Sequence, residues 1–274
     1  MTAAADKTRR VGLGGLGAIG LPLARRLAAG LPGLRLAAVS ARERPRAAAR
    51  LAALGITVPI VPVEALAEQA DIVVESLPAA SFRAIAEPAI DAGRIFLPLS
   101  VGALLEHPDL IERAERRGAR IIVPTGALLG LDAVRAAAEG EIRSVRLVTR
   151  KPPAGLAGAP YLVERGISLA GLDRPLRVFA GTARDGARGF PANVNVAAAL
   201  ALAGIGPDRT YLEIWADPAL ERNTHRIEVE ADSARFAMTI ENLPSPDNPR
   251  TGRITPLSVI ACLRGLADTV RIGS

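Results

Sequence analysis

The chain is 274 residues long, room for one large or two medium domains, and 49% of it is apolar, which excludes bulk disorder. Its net charge of +6 comes from 34 basic against 28 acidic residues spread without a block of like charge, and only 3% of residues are aromatic, so a nucleic-acid footprint with base-stacking platforms is excluded. A single cysteine, Cys262, leaves no disulfide within the chain. With no signal-type apolar core and no run long enough to cross a bilayer (about 18 residues), the expectation is a cytoplasmic protein with no membrane partner.

In chain order, Arg9–Leu13 reads as a buried strand, followed by Gly15-Leu16-Gly17-Ala18-Ile19-Gly20 and a helical run over Leu21–Ala29. A dinucleotide pyrophosphate needs a tight strand-to-helix turn, backbone that it can approach without a Cβ, and a helix N-terminus aimed at the phosphates. Gly15 would make the turn, Gly17 the close approach and Gly20 the helix-to-strand packing. Further strands at Leu34–Ser40, Ile72–Glu75, Arg94–Ser100 and Arg120–Pro124 alternate with helical runs at Arg44–Leu54, Ala65–Glu68, Ser81–Ala92 and Pro108–Arg117. Apolar strands separated by helices are the rhythm of a doubly wound parallel sheet, the Rossmann architecture, covered on both faces.

After Gly126 the rhythm changes. Leu131–Glu139 is helical, Ile142–Arg150 alternates as a strand, and Lys151–Ala159 is a loop rich in proline and glycine. Leu176–Ala180 reads as a strand and Asn193–Ala203 as an alanine-rich helix. Thr210–Ala216, Thr224–Glu230 and Arg235–Glu241 then read as successive strands of an antiparallel meander. A polar loop over Asn242–Gly252 leads to a closing helix with Thr255 as N-cap and Pro256 at its first helical position. The expected organisation is α/β. A Rossmann domain spans 1–127, an α+β substrate and dimerisation domain with a mixed or antiparallel sheet spans 128–244, and a loop and helix at 245–274 return to the first domain.

In open α/β sheets ligands bind beyond the carboxyl ends of the strands. That rule selects Gly15–Ala18, with Ile19 and Gly20 behind them, then Ser40–Arg42, Ser76–Pro78, Ser100–Gly102 and Thr125–Ala127. At the second strand tip, where an acid commonly takes the ribose 2′-hydroxyl of NAD, stand Ser40 and Arg42; these suit a 2′-phosphate and favour NADP, while Glu43 keeps NAD open.

In the second half, alternation puts Asn223, His225, Ile227, Val229 and Ala231 on one strand face and Thr224, Arg226, Glu228 and Glu230 on the other. His225 therefore points towards a core or a cleft, as a hydrogen-bonded core histidine or as an acid–base group; the pattern alone leaves both readings open. Asn193 and Asn195 open the alanine-rich helix, as capping residues or as amides for a cofactor or substrate. Arg150 and Lys151 end a strand beside the flexible loop and could hold a carboxylate or be a solvated strand end. Lys7 and Lys151 are the only lysines in an arginine-rich chain. No metal is expected.

The segments Gly15–Gly20, Pro124-Thr-Gly-Ala-Leu-Leu-Gly-Leu-Asp132, Thr149-Arg-Lys-Pro-Pro153, Phe190-Pro-Ala-Asn-Val-Asn-Val-Ala197, Ala216-Asp-Pro218 with Asn223-Thr-His225, and Glu241–Pro249 resemble, in the same order, those of the L-aspartate dehydrogenase family. The resemblance implies a Rossmann domain followed by an α+β substrate domain, a homodimer, and NAD(P)-dependent oxidation of L-aspartate to iminosuccinate, which hydrolyses to oxaloacetate and ammonia. It also implies the reverse reductive amination, serving amino-acid metabolism or NAD biosynthesis. By resemblance His225 is the catalytic histidine, Ala127 and Asn195 join Gly15, Gly17, Ala18, Ile19, Gly20, Ser40, Arg42 and Ser76 at the cofactor, and Asn193, Asn223, Arg150 and Lys151 are candidates for the substrate carboxylates. The competing readings are an NAD(P)-dependent enzyme for another amino acid or imine, and a non-catalytic NADP sensor.

Overall fold

The computed structural model describes residues 8–191, 194–246, 248 and 251–273. The fold divides into two compact units, Met1–Pro124 with Pro256–Ile272, and Thr125–Thr255 with Gly273–Ser274.

In the first unit the order is β1 (Arg9–Gly14), α1 (Gly20–Ala28), β2 (Leu34–Ser40), α2 (Arg44–Ala52), α3 (Leu66–Gln69), β3 (Ile72–Glu75), α4 (Phe82–Asp91), β4 (Ile95–Pro98), α5 (Val101–Glu106), α6 (Asp109–Arg117) and β5 (Arg120–Ile121). The strands form one sheet in the order β2-β1-β3-β4-β5, and each neighbouring pair is parallel. Strand β3 shows why its residues run apolar without a break. Ile72 and Val74 enter a core with Val11, Leu13, Leu23 and Leu97, whereas Val73 enters a second core with Phe82, Ile85, Phe96 and Leu110. A strand buried on both faces needs an apolar residue at every position. The sheet order reverses at β1, so the loops after β1 and β3 flank the crevice where such folds bind ligands.

The second unit holds α7 (Leu131–Ala138), β6 (Ile142–Lys151), α8 (Pro160–Glu164), β7 (Leu176–Thr182), α9 (Ala183–Gly189), α10 (Asn195–Ala203), β8 (Thr210–Ala216), β9 (Asn223–Ala231) and β10 (Arg235–Asn242). Its sheet is mixed, in the order β10-β9-β6-β8-β7. This corrects the expected meander. Strands β9 and β10 form an antiparallel hairpin, but β8 lies on the far side of β6 and runs parallel to it. The parallel pair needs a long crossover, supplied by the chain from α8 to α10. Strand β6 is central because one face of it is buried along its length, at Val145, Leu147, Thr149 and Lys151, and both its edges are paired.

The closing helix α11 (Ile254–Ala267) begins one residue before Thr255, which stands inside the helix and not at its N-cap. Its Val259 and Leu263 are buried in the core of the first unit. Helices α5, α8 and α9 had no counterpart in the sequence reading; each is seven residues or shorter, too short to develop an apolar period. Among the described residues no helix is long and apolar enough to cross a membrane.

Candidate active site

The covered face of the mixed sheet turns polar at one end. Thr149 of β6 lies opposite His225 of β9, which lies opposite Ile240 of β10. One residue pair further on, Asn223 stands opposite Asn242, and Lys151 ends β6 beside Ala216. His225, Thr149, Lys151, Asn223 and Asn242 are all buried. Strand alternation alone does this: residues two apart along β6 and β9 share the face that packs on helices α7, α9 and α10. A buried row of this kind has to be hydrogen-bonded. His225 Nδ1 is 3.0 Å from Thr149 Oγ1, and Asn242 Nδ2 donates to the Ala127 carbonyl at 2.8 Å. The latter bond ties the loop that carries Ala127 to the polar row. Gly155, in the turn after β6, faces Lys151 and Asn223; a Cβ there would lie 3.8 Å from Lys151 Cβ and 3.9 Å from Asn223 Oδ1. Burial, and after it the charge of Lys151, pushes the His225 imidazolium down to about 3, so the ring is neutral near pH 7.

Arg150 does not join this group. It occupies the opposite face of β6, 3.5 Å from Asp217 Oδ2, with its guanidinium 4.7 Å from the centre of the Trp215 ring. The expectation that Arg150 and Lys151 act as adjacent cations on one carboxylate is corrected: consecutive strand residues point to opposite faces. Asn195 is the first residue of α10, whose N-cap is Val194, so Asn195 is not that helix's cap. Asn193 lies outside the described residues.

In the first unit, Gly15 has φ +98°, and a Cβ on it would sit 2.6 Å from the Ser76 carbonyl. A Cβ on Gly20 would overlap the Gly15 carbonyl at 1.9 Å. Both positions therefore demand glycine for the turn itself. Gly17 is different: among the described residues nothing lies within 4 Å of its Cβ position, so no contact within the protein demands glycine there. Ser76 braces the turn, its hydroxyl donating to the Gly14 carbonyl at 2.9 Å. Ser40 is buried, and its carbonyl accepts from the Gly15 amide at 2.8 Å. The Arg42 side chain is 91% exposed, 3.9 Å from Glu43, and Arg46 lies 3.8 Å from the same carboxylate.

Two family models match this chain. One, described as aspartate dehydrogenase, C-terminal, covers residues 132–266; the other, described as homoserine dehydrogenase, NAD binding domain, covers residues 15–124. Over 265 residues the chain is 57% identical to L-aspartate dehydrogenase 3 of Bordetella bronchiseptica, covering 96% of this chain and 97% of that one. It is 54% identical over 270 residues to the L-aspartate dehydrogenase of Bradyrhizobium diazoefficiens, covering 98% and 96% of the two. The chain belongs to the L-aspartate dehydrogenase family. The crystal structure of aspartate dehydrogenase from Thermotoga maritima has the same fold, with a TM-score of 0.70 at 20% identity over 97% of this chain and 99% of that one.

For a member of the L-aspartate dehydrogenase family the first unit is an NAD-binding domain, and its residues fit NAD or NADP. Helix α1 has no side-chain cap and no acid in its first turn, so its leading amides, with those of Gly17, Ala18 and Ile19, are suited to an anion. Three residues in and around these sites were not among the candidate site residues read from the sequence. Arg50 of α2 donates to the Leu16 carbonyl at 2.8 Å, holding the glycine turn from outside. Thr149 meets His225 only because of the β6–β9 register. Glu75 is fully buried at the carboxyl end of β3. Among the described residues, no group of three or more His, Cys, Asp or Glu side chains could hold a metal ion.

Proposed function

We propose that this chain catalyses NAD(P)-dependent oxidation of L-aspartate to iminosuccinate, which hydrolyses to oxaloacetate and ammonia, and the reverse reductive amination. The observation that carries this reading is the buried row Thr149–His225 with Lys151 and Asn223: one neutral imidazole and one cation on the same sheet face, in a chain 57% identical to a protein named L-aspartate dehydrogenase. The coenzyme, which Gly15–Gly20, Ser40, Arg42 and Ser76 of the first unit would hold, would supply the hydride acceptor.

The Lys151 ammonium takes a substrate carboxylate, with the Asn223 amide donating to it; Asn193 is the further candidate for this role. His225 works as a base. In the tautomer whose Nδ1–H donates to Thr149 Oγ1, 3.0 Å away, the Nε2 lone pair takes a proton from the substrate ammonium and, once that proton has passed to solvent, activates water against the imine. A base held down near 3 is weak; burial is the larger cause of that depression and the Lys151 charge the smaller. A bound dicarboxylate offsets this charge and raises the imidazole towards its working range.

The exposed Arg42, with Glu43 shared between it and Arg46, favours NADP over NAD. The outer face of the mixed sheet supports a homodimer: Trp215 lies between Arg150 and Arg177, Tyr211 is exposed, and Arg146 bridges Glu213 and Glu228. A two-fold pairing can match such alternating charge against itself. A cytoplasmic setting is supported by the single cysteine, which leaves no internal disulfide to maintain.

The test is coenzyme reduction at alkaline pH with a panel of L- and D-amino acids, using NADP⁺ and NAD⁺ in parallel. Turnover with L-aspartate and a higher kcat/KM with NADP⁺ are expected. Turnover with a different amino acid alone would move the substrate, and coenzyme binding without turnover on any of them would overturn the enzymatic reading.

A further inference from the structure

We propose that Glu75 is a positioning residue for the coenzyme crevice, gathering the loops that follow β3 and β4 onto one buried carboxylate. Glu75 ends β3 with 0% exposure, in register with Gly14 of β1 on one side and Pro98 of β4 on the other. Its Oε1 accepts from the Leu77 amide at 2.8 Å and from the Ser100 hydroxyl at 3.0 Å. Its Oε2 accepts from the Ser100 amide at 2.8 Å and from the Leu99 amide at 3.0 Å. Four neutral donors from two loops thus converge on both oxygens. Next in sequence, Ser76 donates its amide and its hydroxyl to the Gly14 carbonyl and packs its own carbonyl under Gly15. Glu75, Ser76 and Leu77 therefore join the carboxyl ends of β1, β3 and β4, the three strands around the point where the sheet order reverses.

A carboxylate is costly to bury without a cation, and the first effect on Glu75 is indeed that burial pushes its carboxyl up from the ordinary value, with the four donors pulling it back. An apolar residue would fill the space without that cost but would leave the Leu77 and Ser100 amides and the Ser100 hydroxyl without this acceptor. An amide side chain has one acceptor too few. Only an acceptor at both tips lets the two loops end where the glycine turn is braced. The role asked of Glu75 is shape: fully buried, it is closed off from any ligand, and it sets the walls of the crevice. This rests on the first unit holding NAD(P) and is independent of which amino acid is oxidised.

The experiment titrates NADPH into the purified protein by calorimetry, with no amino acid present, for wild type, Glu75→Gln, Ser100→Ala and Ser100→Thr, alongside thermal melting and steady-state kinetics. In Glu75→Gln the amide NH₂ meets a main-chain N–H, and the coenzyme dissociation constant should rise about 5- to 20-fold, the consequence of one contact turned repulsive. KM for the coenzyme should rise with it, and KM for L-aspartate should change less than about twofold. Ser100→Ala should weaken coenzyme binding about 2- to 5-fold, and Ser100→Thr, which keeps the hydroxyl, should restore it. A folded Glu75→Gln protein with a lower melting temperature but wild-type coenzyme affinity would reduce Glu75 to a purely structural part and overturn the proposal. Should Glu75→Gln fail to fold, equal affinities in Ser100→Ala and Ser100→Thr would overturn it just as surely.

Discussion

At the scale of single residues, the candidate chemistry rests on His225 and on what fixes it. The imidazole is 2% exposed and shares a hydrogen bond with Thr149 at 3.0 Å. A histidine that takes a proton through Nε2 has to hold its own proton on Nδ1, and the Thr149 hydroxyl, able to donate or to accept, can accept from that tautomer. Replacing His225 by Asn should lower kcat by roughly 10²–10⁴-fold while leaving coenzyme affinity within about twofold, read by calorimetry and steady-state rates on the same preparation. Thr149→Val should lower kcat about tenfold, the worth of one hydrogen bond, and Thr149→Ser should recover most of it. Wild-type rates in Thr149→Val would show that the ring is held by something else.

At the scale of elements, strand β6 separates two roles that sit side by side in the sequence. Lys151 is buried on the His225 face, and Arg150 lies against Trp215 and Asp217 on the other. Lys151→Met should raise KM for L-aspartate by about 10- to 100-fold, as expected for losing a charge-assisted contact to a carboxylate. Arg150→Met, which alters the outer face alone, should leave that KM within about twofold and, on the proposed homodimer, shift sedimentation towards monomer. Equal effects of both substitutions on KM would contradict the division of the two faces. The alternation was legible from the sequence in β9, where polar and apolar residues interleave. In β6 it was legible over Ile142–Arg150 as well, but the strand ends on two consecutive cations and nothing local says which of them is covered.

For the whole molecule, the buried imidazole links folding to pH. In the unfolded chain His225 titrates near the ordinary histidine value, about 6.5; in the folded state burial and Lys151 push it down to about 3. Above about pH 6.5 neither state carries the proton, and the group has no effect on stability. Below that value the unfolded state gains a proton that the native state refuses, so stability falls with pH, by up to about 1.4 kcal/mol per unit, until about pH 3. Urea midpoints measured between about pH 7 and about pH 5 should therefore fall less steeply for His225→Gln than for wild type. Parallel pH dependences would mean that His225 binds its proton equally well in the native and the unfolded chain.

What the sequence determined by itself is whatever depends on neighbours in the chain. The glycine turn, the apolar runs of the parallel strands, and the face shared by Asn223 and His225 follow from short-range sterics and periodicity, and Leu34–Ser40, Ile72–Glu75 and Thr210–Ala216 are the same in sequence pattern and in structure. The tertiary structure decided what depends on pairing across the chain. It placed β6 between β8 and β9, brought Thr149 to His225 across 76 residues, and set the Leu99 and Ser100 amides on Glu75 across 24 and 25 residues. Long-range register is selected by the summed burial of whole strands, and no residue carries a local mark of its partner.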